Sequence, residues 1–302
     1  MEMQAHNACA MRQANGAIKL NVLRKVLSER QVDLPSQPED YSSLLEDAGV
    51  KIAFIVVMTG RSGSTWLASA LEQTKHFPLA KEYFSTQGIP FYGKFDKPQR
   101  FSTLFQSVAA KYSRNSIFGF KSNPTRLMWL GQFVDIPATF SSECAWIDLK
   151  RINIVKQAFS FARAFVSGSW HSTANAPLTN TDVGLADLEP QVWRALSNIL
   201  REERQIKEFY TRESIDPLRL SYEEILDSKH QVLARVTHRI DPAFDRSCLA
   251  DITGSTQKLA GAREDEVEIA FMEKHISRIS EIMAGRDEMT SQQITRLCQP
   301  LT

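Results

Sequence analysis

The stretch IAFIVVMTGRSGSTWLASALEQ, Ile52–Gln73, is where the fold declares itself. Ile52–Met58 is apolar and rich in β-branched residues, as expected of a strand buried on both faces in a parallel sheet. Thr59–Thr65 then supplies two glycines, four hydroxyl residues and Arg61, followed by a segment with Leu67, Ala70 and Leu71 on one helical face. A strand, a tight loop and a helix in succession aim the loop and first-turn N–H groups at one point, where the helix dipole also favours an anion. The loop is not a Walker sequence, because Ser64 stands where that pattern needs lysine and the cation is displaced to Arg61. Nor is it a G-x-S-x-G nucleophile elbow, since Gly63 comes one place too early, which argues against Ser62 as a nucleophile.

A second unit begins with the strand-like CAWIDLK, Cys144–Lys150, and passes through Arg151 into a helical pattern carrying Ile154, Val155, Ala158, Phe159, Ala162 and Phe165. Ligands of open parallel sheets bind beyond the carboxyl ends of strands, so Arg151 and the first loop share a crevice if the two strands are neighbours. Ser160, nine positions after Arg151, reaches the same place from the helix.

Composition bounds the remaining choices. A chain of 302 residues with 43% hydrophobic and 24% charged residues builds a substantial core. A net charge of +1 excludes a global field that would recruit nucleic acid or an anionic membrane. The charge is uneven, however: residues 51–163 hold 15 basic and 6 acidic residues, as a site for a small polyanion would. Cys9, Cys144, Cys248 and Cys298 show no C-x-x-C spacing, which points to a reducing, cytoplasmic setting without a disulfide scaffold or zinc knuckle. The first thirty residues contain no uninterrupted apolar core of a secretory signal, and no segment approaches the ~20 apolar residues of a membrane span. An apolar stripe at Ile18, Val22, Leu23, Val26 and Leu27 predicts an accessory helix, so residues 1–50 read as a helical extension and 51–302 as one α/β domain. The expected architecture is a P-loop-like, three-layer α/β/α fold with a central, mostly parallel sheet. Val267, Ala270, Phe271, Lys274 and Ile279 predict a C-terminal amphipathic helix for packing, subunit contact or covering the acceptor site.

The ordered series Arg61-Ser-Gly-Ser-Thr65, Glu82-Tyr-Phe84, Phe118-Gly-Phe-Lys121, Arg151, Gln157-Ala-Phe-Ser160, Gly168-Ser-Trp170 and Leu220-Ser-Tyr-Glu-Glu224 resembles the PAPS-dependent sulfotransferases. It is most similar to the bacterial trehalose and lipopolysaccharide type, over residues 51–240. PAPS is 3′-phosphoadenosine 5′-phosphosulfate. The resemblance implies that Arg61, Ser62, Gly63, Ser64 and Thr65 bind the 5′-phosphosulfate. It implies further that Arg151 and Ser160 hold the 3′-phosphate, that Tyr222 lies near the adenine, and that Glu82 is the general base. Glu82 also stands out unaided, being with Asp96 one of two acids among the eleven charged residues from Lys75 to Arg126. Its sequence neighbours Lys75 and Lys81 are the obvious ion-pair partners. Arg61 becomes the electrostatic catalyst and Lys121 a further contact to donor or transition state. Asn123 stands where cytosolic relatives carry a histidine base, and it cannot take up a proton.

The same resemblance implies a sulfotransferase domain over 51–302 that takes PAPS as donor, yields 3′-phosphoadenosine 5′-phosphate (PAP), needs no metal and sulfates a hydroxyl of a small-molecule carbohydrate or glycolipid acceptor. His171 and the stretch 171–187 are candidates for the acceptor pocket. A C-terminal R-K-G phosphate loop has no counterpart, and Lys258 or Arg263 are its substitutes. No nucleic-acid partner or integral membrane segment is expected, and a homodimer is left open. An ATP-dependent kinase with a degenerate loop and a non-catalytic nucleotide binder are the alternatives.

Overall fold

The computed structural model describes residues 27, 29, 32–85, 88, 89, 100–140, 143–168, 185–252, 254 and 262–299. In chain order these form α1 (Ser42–Asp47), β1 (Ile52–Met58), α2 (Ser64–Gln73), α3 (Phe101–Tyr112), β2 (Ile117–Ser122), α4 (Pro124–Leu130), α5 (Ile136–Thr139) and β3 (Ala145–Lys150). There follow α6 (Ile154–Ser167), α7 (Leu185–Arg212), β4 (Leu218–Ser221), α8 (Tyr222–Asp227), α9 (Lys229–Ile240), a 3-10 turn (Arg246–Asp251), α10 (Ala262–Lys274), α11 (Ile276–Gly285) and α12 (Ser291–Leu297).

The four strands pair in parallel in the order β2-β1-β3-β4, flanked by helices as a three-layer α/β/α fold. Alternation along the strands sends Ile55, Val57, Phe118, Phe120 and Trp146 into one apolar cluster. Phe54, Val56, Met58, Ile147 and Leu149 enter another, with Leu67, Ala70 and Leu71 of α2 and Val232, Leu233 and Val236 of α9. Leu27, Val32, Tyr41, Leu45 and Val50 pack into the first cluster, so this part of the N-terminal section shares the core. The stripe from Ile18 to Val26 lies outside the described residues.

A third cluster is made mainly by helices and holds no strand residue, with Phe159 of α6, Trp193 of α7, Phe271 of α10, Ile279 of α11 and Ile294 of α12. The C-terminal pattern expected as one helix is two, divided at His275. Their inward face differs from the expected one too: Glu268, Phe271 and His275 are buried and Ala270 is exposed, because a polar side chain occupies a core position that apolar spacing does not register.

Gly119 explains itself by packing. It sits opposite Phe54 in the β1–β2 register, and a Cβ there would lie 2.1 Å from the Phe54 ring, itself fully buried. Gly119→Ala should therefore lose about 1–3 kcal/mol by overpacking. Chemical denaturation checks this, and Phe54→Leu in the same background should recover part of the loss.

Candidate active site

β1 lies between β2 and β3, so the chain leaves its carboxyl end where the connections diverge, at a topological switch point. The loop beyond it turns through left-handed backbone, strained at Arg61 with φ 66° and freely adopted by Gly63 with φ 91°. Gly63 is also the N-cap of α2 and offers no side chain to its first-turn N–H groups. By contrast, α4, α6 and α8 are capped by Asn123, Asn153 and Ser221. Ser62 Oγ is buried and has no hydrogen-bond partner among the described residues. Uncapped N–H groups beside an unsatisfied hydroxyl make an anion cradle.

The loop is tied to the second unit. Gln157 Nε2, fully buried on α6, donates to Thr59 Oγ1 at 2.7 Å and to the Gly60 carbonyl at 2.8 Å. One turn on, Ser160 Oγ accepts a hydrogen bond from Arg61 Nε at 2.9 Å. Arg151, just beyond β3, stacks on the Tyr222 ring at 4.7 Å, and its Nε is buried with no hydrogen-bond partner among the described residues. Tyr222 in turn covers the first loop so closely that a Cβ on Gly63 would lie 2.6 Å from its ring.

The turn carrying Arg151 is gripped from both sides. The Glu223 carboxylate accepts from Ile152 N–H at 2.8 Å and Asn153 N–H at 3.1 Å. Arg286 donates to the carbonyls of Ile152 at 2.6 Å and Arg151 at 2.7 Å while forming a double ion pair with buried Glu203. Burial pushes the Arg61 pKa down, and the nearby charges of Arg151 and Arg163 push it further. Burial lowers Arg151 as well, with Arg163 adding to it, while Tyr222, Glu223 and Glu268 act in the opposite sense.

On the β2 side, the Lys121 N–H bonds the Lys81 carbonyl at 3.0 Å, laying the segment with Glu82 against the strand end. Tyr83 and Phe84 are buried anchors, Tyr83 stacked on Tyr112 and Phe84 on Phe105, while Glu82 beside them is only partly buried. Glu82 pairs with Arg126, a partner its sequence neighbourhood does not suggest. Arg126 is in reach because Asn123 Oδ1 accepts its N–H and starts α4 there. Lys121 Nζ donates to Thr65 Oγ1 at 3.1 Å, joining this side to α2. Its pKa falls to about 8, through burial first and the Lys81 charge second.

A family model for Stf0 sulphotransferases matches residues 53–271, spanning all four strands and the site. The chain belongs to the Stf0 sulphotransferase family. A search of curated proteins returned no match.

The structure of this sulfotransferase brings Arg61, Ser62, Gly63, Ser64, Thr65, Arg151, Ser160 and Tyr222 to one crevice, with Thr65 linked onward to Lys121. Sequence reasoning missed Arg126, Arg163, Glu203, Glu268 and Arg286; only the spacing of Arg163, three after Ser160 on one helix, signalled any of them. Residues 169–184, with Trp170 and His171, lie outside the described residues, as do Lys258 and the Arg263 side chain. Residues 185–187, expected in a loop, begin α7. Among the described residues no group of His, Cys, Asp and Glu is arranged to hold a metal, and no helix is long and apolar enough to cross a membrane.

Lys121 offers a test through stability. With a lowered folded-state pKa, burying its charge destabilises the native enzyme below about pH 8, and the penalty fades toward the ordinary value of 10.5. Lys121→Met should thus melt a few degrees higher than wild type at pH 7, the gap closing from pH 8 to 10.5; a gap independent of pH would contradict it.

Proposed function

We propose that this enzyme transfers a sulfuryl group from PAPS to a hydroxyl of a carbohydrate or glycolipid. The observation that carries the reading is the meeting of Arg61 and Arg151 at one crevice, with Ser62 Oγ and Arg151 Nε buried and unsatisfied. Two anionic groups on one nucleotide match two neighbouring cationic cradles, and a guanidinium binds phosphate with more direction than an ammonium. In this reading the Arg61–Thr65 loop takes the 5′-phosphosulfate. Arg151 and Ser160 take the 3′-phosphate, Ser160 bridging to Arg61, and Tyr222 flanks the adenine. Kinship with Stf0 enzymes and the ordered motifs support the donor and the acceptor class. The free thiols of Cys144, Cys248 and Cys298 suit a reducing cytoplasm.

In the reaction the acceptor oxygen forms a bond to sulfur as the sulfur–oxygen bond to the 5′-phosphate breaks. Glu82 takes the hydroxyl proton, and the bonding electron pair leaves with the bisphosphate product. Arg61 and the α2 N–H groups stabilise the charge growing on the bridging oxygen, a contact stronger in the transition state than in the ground state. Lys121 adds a second cation beside Thr65. The ion pair with Arg126 fixes the Glu82 carboxylate in position to act.

Calorimetry with PAP should show binding that Arg151→Ala weakens between roughly tenfold and a hundredfold, from ~1.5–3 kcal/mol for hydrogen bonds to a charged group. Equal or tighter binding of Mg-ATP would favour a kinase. Glu82→Gln should leave PAP affinity within about threefold while lowering kcat by about 10²-fold or more. Transfer from labelled PAPS to sugars and lipid extracts reads that loss, and unchanged turnover removes Glu82 as the base.

A further inference from the structure

The proposed transfer makes no use of a carboxylate that the C-terminal helices bring to the arginines. Glu268 of α10 is buried, and its Oε1 accepts a hydrogen bond from Arg163 Nη2 at 3.2 Å. Arg163 lies on α6 one turn beyond Ser160, the residue bonded to Arg61. Arg163 is close enough to depress the pKa of both Arg61 and Arg151, and Glu268 close enough to raise that of Arg151. One buried carboxylate therefore sits against Arg163 and close to Arg151.

Packing fixes it there. Phe271, one turn along α10, meets Phe159 of α6 edge-on at 5.3 Å and Trp193 of α7 at 5.1 Å. His275 then bonds Glu189 at 2.8 Å. Burying a carboxylate is costly unless cations compensate it, and here Arg163 does so one turn from Ser160 and close to Arg151, the residues proposed to hold the 3′-phosphate. Such a carboxylate opposes any incoming anion twice, by occupying an Arg163 donor and by direct repulsion.

We propose that Glu268 is a resident competitor for the 3′-phosphate site, of which Arg163 is the third arginine, and that it limits how tightly the bisphosphate product is held. This inference rests on PAPS being the donor. It gives the C-terminal helices a part in product release.

The test is calorimetry on the full chain with two probes, PAP and adenosine 5′-monophosphate, which lacks the 3′ group. Glu268→Gln should bind PAP about tenfold more tightly, the order expected from removing one like charge at a few ångströms in a partly shielded site. Its affinity for the monophosphate should stay within about twofold. Glu268→Asp, which keeps the charge, should stay close to wild type, and Glu268→Gln combined with Arg163→Gln should lose the gain. Unchanged or weaker PAP binding by a folded Glu268→Gln protein overturns the proposal, since a purely structural ion pair predicts that result. Should this variant fail to fold, Arg163→Gln decides: a loss of about threefold or more for PAP alone supports the proposal, whereas no loss, or equal loss with both probes, overturns it. Wild-type protein that does not prefer PAP to the monophosphate would overturn the donor reading itself, and this inference with it.

Discussion

Two guanidinium groups held at one crevice repel each other, and the site depends on their being kept there in the absence of an anion. Long side chains in water would splay apart. Here Arg61 is tethered through Nε to Ser160, and Arg151 lies against the Tyr222 ring. Their backbones are restrained too: Gln157 holds Thr59 and Gly60, Glu223 holds the N–H groups after Arg151, and Arg286 holds the carbonyls. The entropy and repulsion of arranging the cations are thus met on folding, so an arriving anion finds donors already oriented.

The β2 side of the crevice obeys a different logic. Tyr83 and Phe84 drive their segment into the core, and the backbone bond from Lys121 to Lys81 aligns it with the strand end. Glu82 is left as the one charged member of the triplet, and the helix started by Asn123 delivers Arg126 to it. Asn123 performs a structural task here, capping α4 through its side-chain oxygen.

The helical cluster of α6, α7, α10, α11 and α12 is more than a support for the sheet. It brings Arg286 and Glu203 to the Arg151 turn, and Glu268 to Arg163. Buried ion pairs add little net stability compared with apolar packing, so their placement beside the crevice is better understood through what they position and what charge they set.

Much of this was legible along the chain. The β-branched run of β1, the glycine at the left-handed turn, the helical spacing of α2 and α6, and Arg151 at a strand exit are local features whose physics involves near neighbours. So the parallel α/β core and the approach of the Arg61 loop to the unit that follows β3 could be read directly. The C-terminal helices were harder, because Glu268 occupies an inward position that a search for apolar spacing passes over. Partnerships were beyond such reading. The pair Arg163–Glu268 spans 105 positions and the bond from Arg286 to Arg151 spans 135, and nothing local says which of 36 basic residues will meet which of 35 acids. Those choices arise only when the parallel register and helix packing bring remote side chains within hydrogen-bonding distance, because a charge pairs with whatever the fold sets beside it.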